Sequence, residues 1–408
     1  MRRGLFARPS PTTPAETGAR FGFEYLPADQ SYFDSACQTL RPQPVVDAMN
    51  DYYLTYNACG ERVQYAWGRK VDDKVADARA AVLAALGLSP KRYAASFTLN
   101  TTYGLNLLLN QLPSGRYRRV VTTHTEHNSV FLSTMAFAQR TGVERVLLNR
   151  GTDGALQYRD DDLTDALVVV SAMNNVDGTA TPGLSELITG TQARGGTVIL
   201  DAAQAMAHGL AHLRGLQPDA ICFSGHKVYG ASLGVVAATS ELLESLELSF
   251  LGGGQVSAVT ADAYTLHTEP HTRLEGGLQP WGEIIALGAA LAWVDGYRKA
   301  SGQDLATRER RLAEELHDGL VALPNLRLLS QRGSSLVTFV PERVDAHRLA
   351  TFLSRAGVMV RSGYFCAHHW LVEQRQLPPL VRFSLGAHNT SDDVARAVDT
   401  MTPLMKGL

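Results

Sequence analysis

The chain has 408 residues, of which 45% are hydrophobic and 19% are charged, and its formal net charge is −2. This length favours two domains, or one large domain with an appendage, and the composition is ordinary for a soluble globular protein. The charge balance excludes the basic excess typical of proteins that bind nucleic acid or acidic membrane surfaces. No apolar segment follows the arginines at the amino terminus, and the longest apolar run, 284–294, is too short to span a bilayer. We therefore expect a cytoplasmic protein with no membrane partner.

The cysteines do not form a recognisable pair or cluster in the sequence. They are scattered without a Cys-x-x-Cys spacing, so neither a zinc site nor a disulfide framework is indicated, and we expect no metal. A reducing cytosol is the natural compartment for such a chain. A cysteine with a special role would then owe it to its local chemistry. The four cysteines are Cys37, Cys59, Cys222 and Cys366.

Predicted helices and strands alternate from residue 33 onward. Residues 1 to about 30 are rich in proline, threonine and glycine, which predicts a loosely ordered N-terminal arm. Helical spacing follows over 45–56 and 72–86. Later runs are short, β-branched and apolar on both faces, which is typical of a parallel sheet covered on both sides by helices. These runs are 119–123, 166–171 and 197–200.

The last part of the chain has a different pattern. From about residue 296, helical patterns alternate with strand-like segments at 335–339 and 358–360, which predicts a smaller α+β domain. We therefore divide the chain into three parts. They are an N-terminal arm that packs with the small domain, a large domain and a small C-terminal domain, and their bounds are 1–30, 31–295 and 296–408.

Polar residues follow the predicted strands at the edge where parallel sheets bind ligands. Such sheets bind ligands beyond the carboxyl ends of their strands. The segments that follow three of the runs are Glu126-His127-Asn128, Asn174-Asn175 and Asp201-Ala-Ala-Gln204. Upstream, Thr101 and Thr102 precede a helical pattern, where hydroxyl groups and backbone N–H groups can bind a phosphate.

Lys227 directly follows an apolar strand and a Ser-Gly-His turn. A partly buried lysine loses its charge easily and can act as an amine nucleophile, although an ordinary lysine at a strand end is the alternative. Asp201 closes the run 197–200, where a carboxylate can keep a pyridinium nitrogen protonated or simply cap a helix. Gln204 can bind a ring hydroxyl group or complete the same cap. The order of these fragments is more specific than any one of them.

In this order the motifs resemble the class V aminotransferase group of fold-type I pyridoxal-phosphate (PLP) enzymes, and within it the SufS-like cysteine desulfurases. The resemblance runs from Tyr32 to Thr390. It implies an α/β fold of the PLP-dependent transferase type, with a mostly parallel seven-stranded sheet between helices and a smaller α+β C-terminal domain. It also implies PLP as the cofactor, an amino acid as the substrate and a homodimer. The most specific segments are Glu126-His127-Asn128, Asp201-Ala-Ala-Gln204, Ser224-Gly-His-Lys227 and Arg361-Ser-Gly-Tyr-Phe-Cys366-Ala.

The resemblance also implies roles for individual residues. Lys227 would be the Schiff-base lysine, Asp201 would pair with the pyridine nitrogen, and Gln204 would face the ring hydroxyl group. His127 would stack on the ring, and Asn175 would lie near the substrate and the ring hydroxyl group. Four residues would bind the phosphate: Thr101, Thr102, Ser224 and His226.

On the substrate side, Arg382 matches the family's arginine for the α-carboxylate, a geometry that a bidentate guanidinium suits. Arg62 is a weaker candidate for the rim of the site. Cys366 matches the cysteine whose thiolate, in the desulfurases, attacks the sulfur of the substrate and leaves a persulfide and alanine. A sulfur-acceptor protein is then a further partner.

Some positions depart from the family pattern. Tyr364 and Phe365 stand where the SufS-like branch has two histidines, and Leu278 replaces a threonine that contacts the partner subunit's cofactor phosphate. Three functions therefore stay open. The first is a desulfurase that uses Cys366. The second is a C–S β-lyase acting on a cysteine S-conjugate, or an aminotransferase or epimerase acting on a larger amino acid, none of which needs a thiol. The third is a non-catalytic partner that keeps the fold, against which Lys227, Asp201 and His127 argue.

Overall fold

The computed structural model describes residues 21–61 and 63–408, so Arg62 and most of the predicted N-terminal arm lie outside the described residues. The first strands are β1 (Ser31–Tyr32), β2 (Tyr93–Thr98), β3 (Arg119–Thr123), β4 (Glu144–Arg150), β5 (Leu156–Gln157), β6 (Ala166–Ser171), β7 (Thr197–Asp201), β8 (Ala220–Ser224) and β9 (Gly234–Thr239). The later strands are β10 (Val256–Val259), β11 (Tyr264–Leu266), β12 (Leu326–Leu328), β13 (Leu336–Pro341), β14 (Val358–Met359), β15 (Arg361–Gly363) and β16 (Leu380–Ser384).

Helices alternate with these strands. In the first half they are α1 (Gln43–Thr55), α2 (Ala66–Leu86), α3 (Thr101–Gln111), α4 (Asn128–Thr141), α5 (Leu184–Gln192), α6 (Ala205–His208) and α7 (Leu210–Leu213). In the second half they are α8 (Ser240–Glu244), α9 (Trp281–Ser301), α10 (Leu305–Val321), α11 (Ala346–Arg355) and α12 (Ser391–Gly407). Short 3₁₀ turns cover Asp160–Leu163, Gly225–Lys227 and Pro270–Leu274, and a π-helical turn covers His369–Gln374.

The large sheet confirms the predicted fold class. Its strand order is β2-β9-β8-β7-β6-β3-β4-β5. The neighbours from β8 to β4 are parallel, whereas β9 is antiparallel to both β8 and β2. The two-residue strand β5 pairs antiparallel with β4 at the edge and extends the predicted seven-stranded sheet to eight. The fold is therefore α/β, with a mixed sheet whose centre is parallel.

Burial on both faces explains why the central strands are apolar without alternation. In β6, Val168 and Val170 pack in a cluster with residues of α2, α5 and α9. The intervening Leu167 and Val169 pack in a second cluster with residues of α3, α4 and α8. Successive strand residues point to opposite faces, so each face of the sheet requires its own apolar set. Because β3, β6, β7 and β8 run parallel to one another, their carboxyl ends meet at one edge of the sheet.

A second sheet has the order β12-β13-β16-β15 and is antiparallel throughout. Its apolar face packs against α10, α11 and α12. Strand β14, which the sequence pattern predicts within this region, instead pairs in parallel with β1, so that Ser31 lies opposite Val358. The division at residues 295 and 296 stays a prediction, and α9 runs across it. Within the described ranges, no helix is long and apolar enough to cross a membrane.

A buried polar network joins α10 to the two loops that follow β7 and β8. The Glu309 carboxylate lies 2.8 Å from His208 Nδ1 and accepts a 2.5 Å hydrogen bond from the Tyr229 hydroxyl group. The Tyr229 oxygen in turn accepts from the backbone N–H of Ala387 at 2.9 Å. All three side chains are buried, so each polar group depends on the others for a partner.

Replacing Glu309 by alanine should therefore destabilise the protein strongly. The change leaves His208 Nδ1 and the Tyr229 hydroxyl group without their acceptor, and removing one partner from a buried pair costs about 3 kcal/mol in the free energy of unfolding. Glu315 on the same helix pairs with Arg311 at the surface. Glu315→Ala should change the free energy by less than about 0.5 kcal/mol. Urea denaturation of both variants checks this, and equal losses would contradict it.

Candidate active site

A cavity of about 290 Å³ opens at the carboxyl edge of the large sheet. It is bounded by the loops after β3, β6, β7 and β8, by the start of α3, and by the chain around β15 and β16. Of the sequence-predicted site residues, those in the cavity wall are Thr101, Thr102, His127, Asn175, Gln204, Ser224, His226, Lys227, Cys366 and Arg382. Asp201 does not line the cavity wall, and Ser129, which does, contacts it.

Lys227 ends the 3₁₀ turn after β8 and is half-buried in the cavity wall. Burial lowers the pKa of its ammonium group, and the nearby charge of Arg382 lowers it further, while Asp201 opposes both effects. A lowered pKa increases the fraction of neutral amine, which is the form that attacks a carbonyl carbon. The environment of Lys227 is therefore that of a nucleophile.

Asp201 and His127 are connected through Ser129, a residue that the sequence analysis did not single out. The Ser129 hydroxyl group lies 3.3 Å from Asp201 Oδ2 and 2.8 Å from His127 Nδ1. The Ser129 backbone N–H donates to the same Nδ1 at 3.0 Å, so this nitrogen is an acceptor and a neutral His127 carries its proton on Nε2. Ser129 directly follows Glu126-His127-Asn128, and that proximity is the signal that could have identified it.

The charge states of these two groups follow from their burial. Burial lowers the pKa of His127 to about 3, with further lowering from Lys227 and Arg382, so the ring is neutral at physiological pH. Burial raises the pKa of the Asp201 carboxyl group, although the Ala203 N–H, the charge of Lys227 and the Ser129 hydroxyl group favour its ionised form. Asp201 Oδ1 accepts the Ala203 hydrogen bond at 2.9 Å.

The start of α3 packs against the loop after β8. Ser224 Oγ accepts a hydrogen bond from the Thr101 N–H at 2.9 Å and lies 2.6 Å from Thr101 Oγ1. Asn100 caps the helix by accepting from the Tyr103 N–H at 2.9 Å. Gly234 permits this approach, because a Cβ there would lie 2.6 Å from the backbone of Asn100. Hydroxyl groups and the positive end of an eleven-residue helix thus lie together.

His226 and Gln204 line the cavity together with Lys227. Burial lowers the pKa of His226 to about 4, and the charges of Lys227 and Arg41 lower it further, so this ring is also neutral. The Gln204 amide donates from Nε2 to the Ala36 carbonyl at 2.9 Å. Its Oε1 is buried and has no hydrogen-bond partner among the described residues.

Arg382 is a buried cation that contacts three chain segments. Its Nη1 donates to the Asn175 carbonyl at 2.7 Å, and its Nη2 lies 3.4 Å from Asp34 Oδ1. Its guanidinium carbon lies 4.7 Å from the centre of the Phe365 ring. The Nε atom is buried without a partner among the described residues. Asp34 also lies 3.8 Å from Arg361, an exposed second cation at the cavity.

The Cys366 loop adopts an uncommon backbone conformation. Phe365 and Cys366 have φ angles of 50° and 57°, in the left-handed region that side chains with a Cβ rarely occupy. Two hydrogen bonds of 2.7 Å hold it, from Asn175 Nδ2 to the Phe365 carbonyl and from the Asn128 N–H to the Cys366 carbonyl. The Cys366 side chain is exposed at the cavity.

The two histidines after this cysteine are engaged elsewhere. His368 Nδ1 lies 3.3 Å from the Asn128 amide nitrogen, and His369 Nε2 lies 3.0 Å from His124 Nδ1. Burial is the main cause that lowers the pKa of His369. The cations that line the cavity are therefore Lys227, Arg361 and Arg382 among the described residues.

One group of possible metal ligands lies apart from the cavity. Ligand atoms of Glu61, His271 and Glu275 lie within 4.8 Å of one another. Glu275, however, accepts two hydrogen bonds from the Arg79 guanidinium, at 2.6 and 2.7 Å, and one from the Phe97 N–H. Because that guanidinium already neutralises Glu275 and would repel a cation, we propose no metal site there.

Comparisons with known proteins agree with this arrangement. The chain is 29% identical over 378 residues to a cysteine desulfurase of Enterobacter sp. (strain 638), which covers 90% of this chain and 91% of the relative. The structure of this chain resembles the apo structure of a cysteine desulfurase from Thermococcus onnurineus NA1, with a TM-score of 0.84 and 28% identity. The match covers 93% of this chain and 96% of the other. The cysteine desulfurase CsdA (S-sulfonic acid) of Escherichia coli gives a TM-score of 0.84 at 26% identity, over 97% of this chain and all of the other.

The family model described as aminotransferase class-V matches residues 31–397, which include every described residue of the cavity wall. The chain therefore belongs to the class-V aminotransferase family.

Proposed function

We propose that this protein is a PLP-dependent cysteine desulfurase that converts cysteine to alanine and leaves a persulfide on Cys366. The observation that carries the proposal is the shared cavity of Lys227, Arg382 and the exposed thiol of Cys366. A lysine amine, a carboxylate-binding cation and an accessible thiol are the three groups that this reaction requires of the protein. The names of the relatives favour the same reaction.

The residues of the cavity fit the cofactor. The buried Gln204 Oε1, which has no partner among the described residues, provides an acceptor. The exposed Thr102 at the start of α3 provides a phosphate donor, and Lys227 provides an amine. When bound, PLP withdraws electrons from the substrate Cα. The Asp201 carboxylate would bind the protonated ring nitrogen of the cofactor, and that positive charge would favour the ionised form of Asp201. The neutral His127 ring would stack on the cofactor. The residues that would hold the phosphate are Thr101, Thr102, Ser224 and His226.

Arg382 would bind the α-carboxylate of the substrate. Its Nη1 is fixed by the Asn175 carbonyl. Its Nε has no partner in the described part of the chain and its Nη2 makes only a long contact to Asp34, so both leave donors for an incoming carboxylate. Asn175 then has two duties, since its amide also holds the Cys366 loop. Arg62 stays a proposed residue of the rim.

Two of the chain's own groups would carry out the bond changes. The Lys227 amine takes the Cα proton of the substrate and returns a proton to the product. The Cys366 thiolate attacks the substrate sulfur, so an S–S bond forms on the enzyme while the C–S bond of cysteine breaks. The balance is cysteine plus the Cys366 thiol giving alanine plus the Cys366 persulfide. The sulfur then passes to an acceptor, for which a protein partner is our proposal.

We also propose a homodimer. Highly exposed apolar side chains favour a second copy of the chain as the partner, because burying them in an interface is stabilising. Leu278, in the segment expected to reach the neighbouring subunit, has 78% of its surface exposed, and Leu54 has 84%. We propose a cytoplasmic location as well, which the unpaired cysteines favour.

Cys366→Ala should abolish persulfide and sulfide formation from cysteine and leave the PLP absorption band intact, because the thiol takes sulfur but does not hold the cofactor. Cys59→Ala, which removes an exposed thiol outside the cavity, is the matched control and should keep both properties. Sulfide and alanine released by Cys366→Ala at the parent's rate would make the thiol a bystander. Pyruvate and ammonia from an S-alkylcysteine, with no reaction of free cysteine, would favour the C–S lyase alternative.

Arg382→Lys should raise the KM for cysteine by about tenfold or more, because lysine keeps the charge but loses the planar pair of donors. Initial rates across a range of cysteine concentrations measure this effect. Arg375→Lys changes an exposed arginine beyond the Cys366 loop and should leave KM unchanged. An unchanged PLP absorption band in both variants shows that the site is intact, and an unaltered KM in Arg382→Lys would contradict the role.

His127 should make the protein less stable in mild acid. Its pKa is about 3 in the folded state against 6.5 ordinarily, so the unfolded chain binds the extra proton between these values. The contribution of neutral His127 to the free energy of unfolding is therefore complete above about pH 6.5 and is lost as the pH falls towards 3. The fall in melting temperature from about pH 7 to 5 should therefore be smaller in His127→Gln than in the parent. His347→Gln, which alters an exposed histidine, should keep the parental slope; identical slopes in all three proteins would refute the assignment.

A further inference from the structure

A second thiol lies in the wall of the active-site cavity. Cys37 follows β1 and lines the same cavity as Cys366 and Lys227. It is half-buried, whereas Cys366 is exposed. The mechanism proposed above does not use it. Cys37 therefore requires a separate explanation.

The turn that carries Cys37 is held from two sides. The Ala36 carbonyl accepts a hydrogen bond from Gln204 Nε2, and the Ala36 N–H donates to Ser384 Oγ, both at 2.9 Å. The Cys37 N–H itself donates to the Asp34 carbonyl at 3.0 Å. These bonds fix the backbone that leads into the cysteine and hold it between the loop of Gln204 and β16, the strand of Arg382.

Both thiols act on Lys227, and Cys37 also acts on Arg382. Burial lowers the pKa of Lys227, and negative charge on either Cys37 or Cys366 opposes that lowering. Burial likewise lowers the pKa of Arg382, which Asp34 and then Cys37 oppose. Each sulfur is thus within electrostatic reach of Lys227. Two buried polar atoms without a partner among the described residues, Gln204 Oε1 and Arg382 Nε, belong to the same wall and mark it as a binding surface.

We propose that Cys37 is a second sulfur carrier, which receives the outer sulfur of the Cys366 persulfide inside the cavity. This inference rests on the proposed function. The Cys37 thiolate attacks the outer sulfur, an S–S bond forms on Cys37, and the S–S bond on Cys366 breaks. Cys366 leaves as a thiolate, and the proton of the Cys37 thiol passes to it. One S–S bond replaces another, so no oxidant or reductant is needed.

The geometry favours transfer in this direction. The outer sulfur of a persulfide lies about 2 Å beyond the Cys366 sulfur, which extends its reach across the cavity. The two hydrogen bonds on the Cys366 loop keep its thiol at the cavity. Transfer to a half-buried site would shield the sulfur from solvent and leave Cys366 free for a second substrate molecule. Each site could then hold two sulfur atoms before an acceptor is needed.

The test uses the holoenzyme with cysteine and no thiol acceptor or reductant. Samples are quenched with an alkylating reagent at successive times, and digested peptides are analysed by mass spectrometry for the gain of one sulfur atom. We expect sulfur first on the Cys366 peptide and then on the Cys37 peptide. The burst of alanine should be about twice as large in the parent as in Cys37→Ser, because the variant stops after one sulfur. Cys366→Ser should show no sulfur on Cys37.

Cys59 provides the control within the same digest, because it is more exposed than Cys37 and lies outside the cavity. Equal sulfur on Cys59 and Cys37 would mean unspecific transfer from Cys366 persulfides to any accessible thiol and would overturn the inference. Sulfur confined to Cys366 would also overturn it while leaving the proposed function intact. A Cys37–Cys366 disulfide with no sulfur gain on Cys37 would contradict the carrier role as well. An absence of sulfur on Cys366 would overturn both proposals.

Discussion

The cavity depends on the contacts that the buried guanidinium group of Arg382 makes. A charge out of contact with water must find partners within the protein, and Arg382 finds them on three segments that are distant in the sequence. The Asn175 carbonyl, the Asp34 carboxylate and the Phe365 ring surround it. The loop after β6, the turn after β1 and the Cys366 loop are thereby held around one charge. That charge is also the group proposed to bind the substrate, so the residue that assembles the cavity selects its ligand.

The same positive charge adds to the effect of burial on the protonation states around it. Burial lowers the pKa of His127, and Lys227 and Arg382 lower it further, so a further protonated group in this space is disfavoured. His127 can therefore offer a neutral ring face rather than another cation. The Asp201 carboxylate provides a compensating negative charge, and the Ser129 hydroxyl group connects this carboxylate to His127. The cavity suits an anionic ligand with a planar ring, and PLP bound to an amino acid has both properties.

Much of this arrangement could be predicted from the sequence because it is local. The runs at 166–171 and 197–200 are apolar on both faces, and the polar residues that end them have to meet at one edge. Features that depend on distant pairing could not be predicted. Strand β14 pairs with β1 rather than with the second sheet, and this pairing, with the Ser384 contacts, places Cys37 in the cavity. Ser129 belongs to the site through its contact with Asp201, which is seventy-two residues away along the chain.

The network around Glu309 has a mechanical consequence. Tyr229 and His208 lie shortly after Lys227 and Gln204 in the chain, and both are bonded to one carboxylate on α10. A rigid displacement of α10 would pull on both loops at once and disturb the lysine.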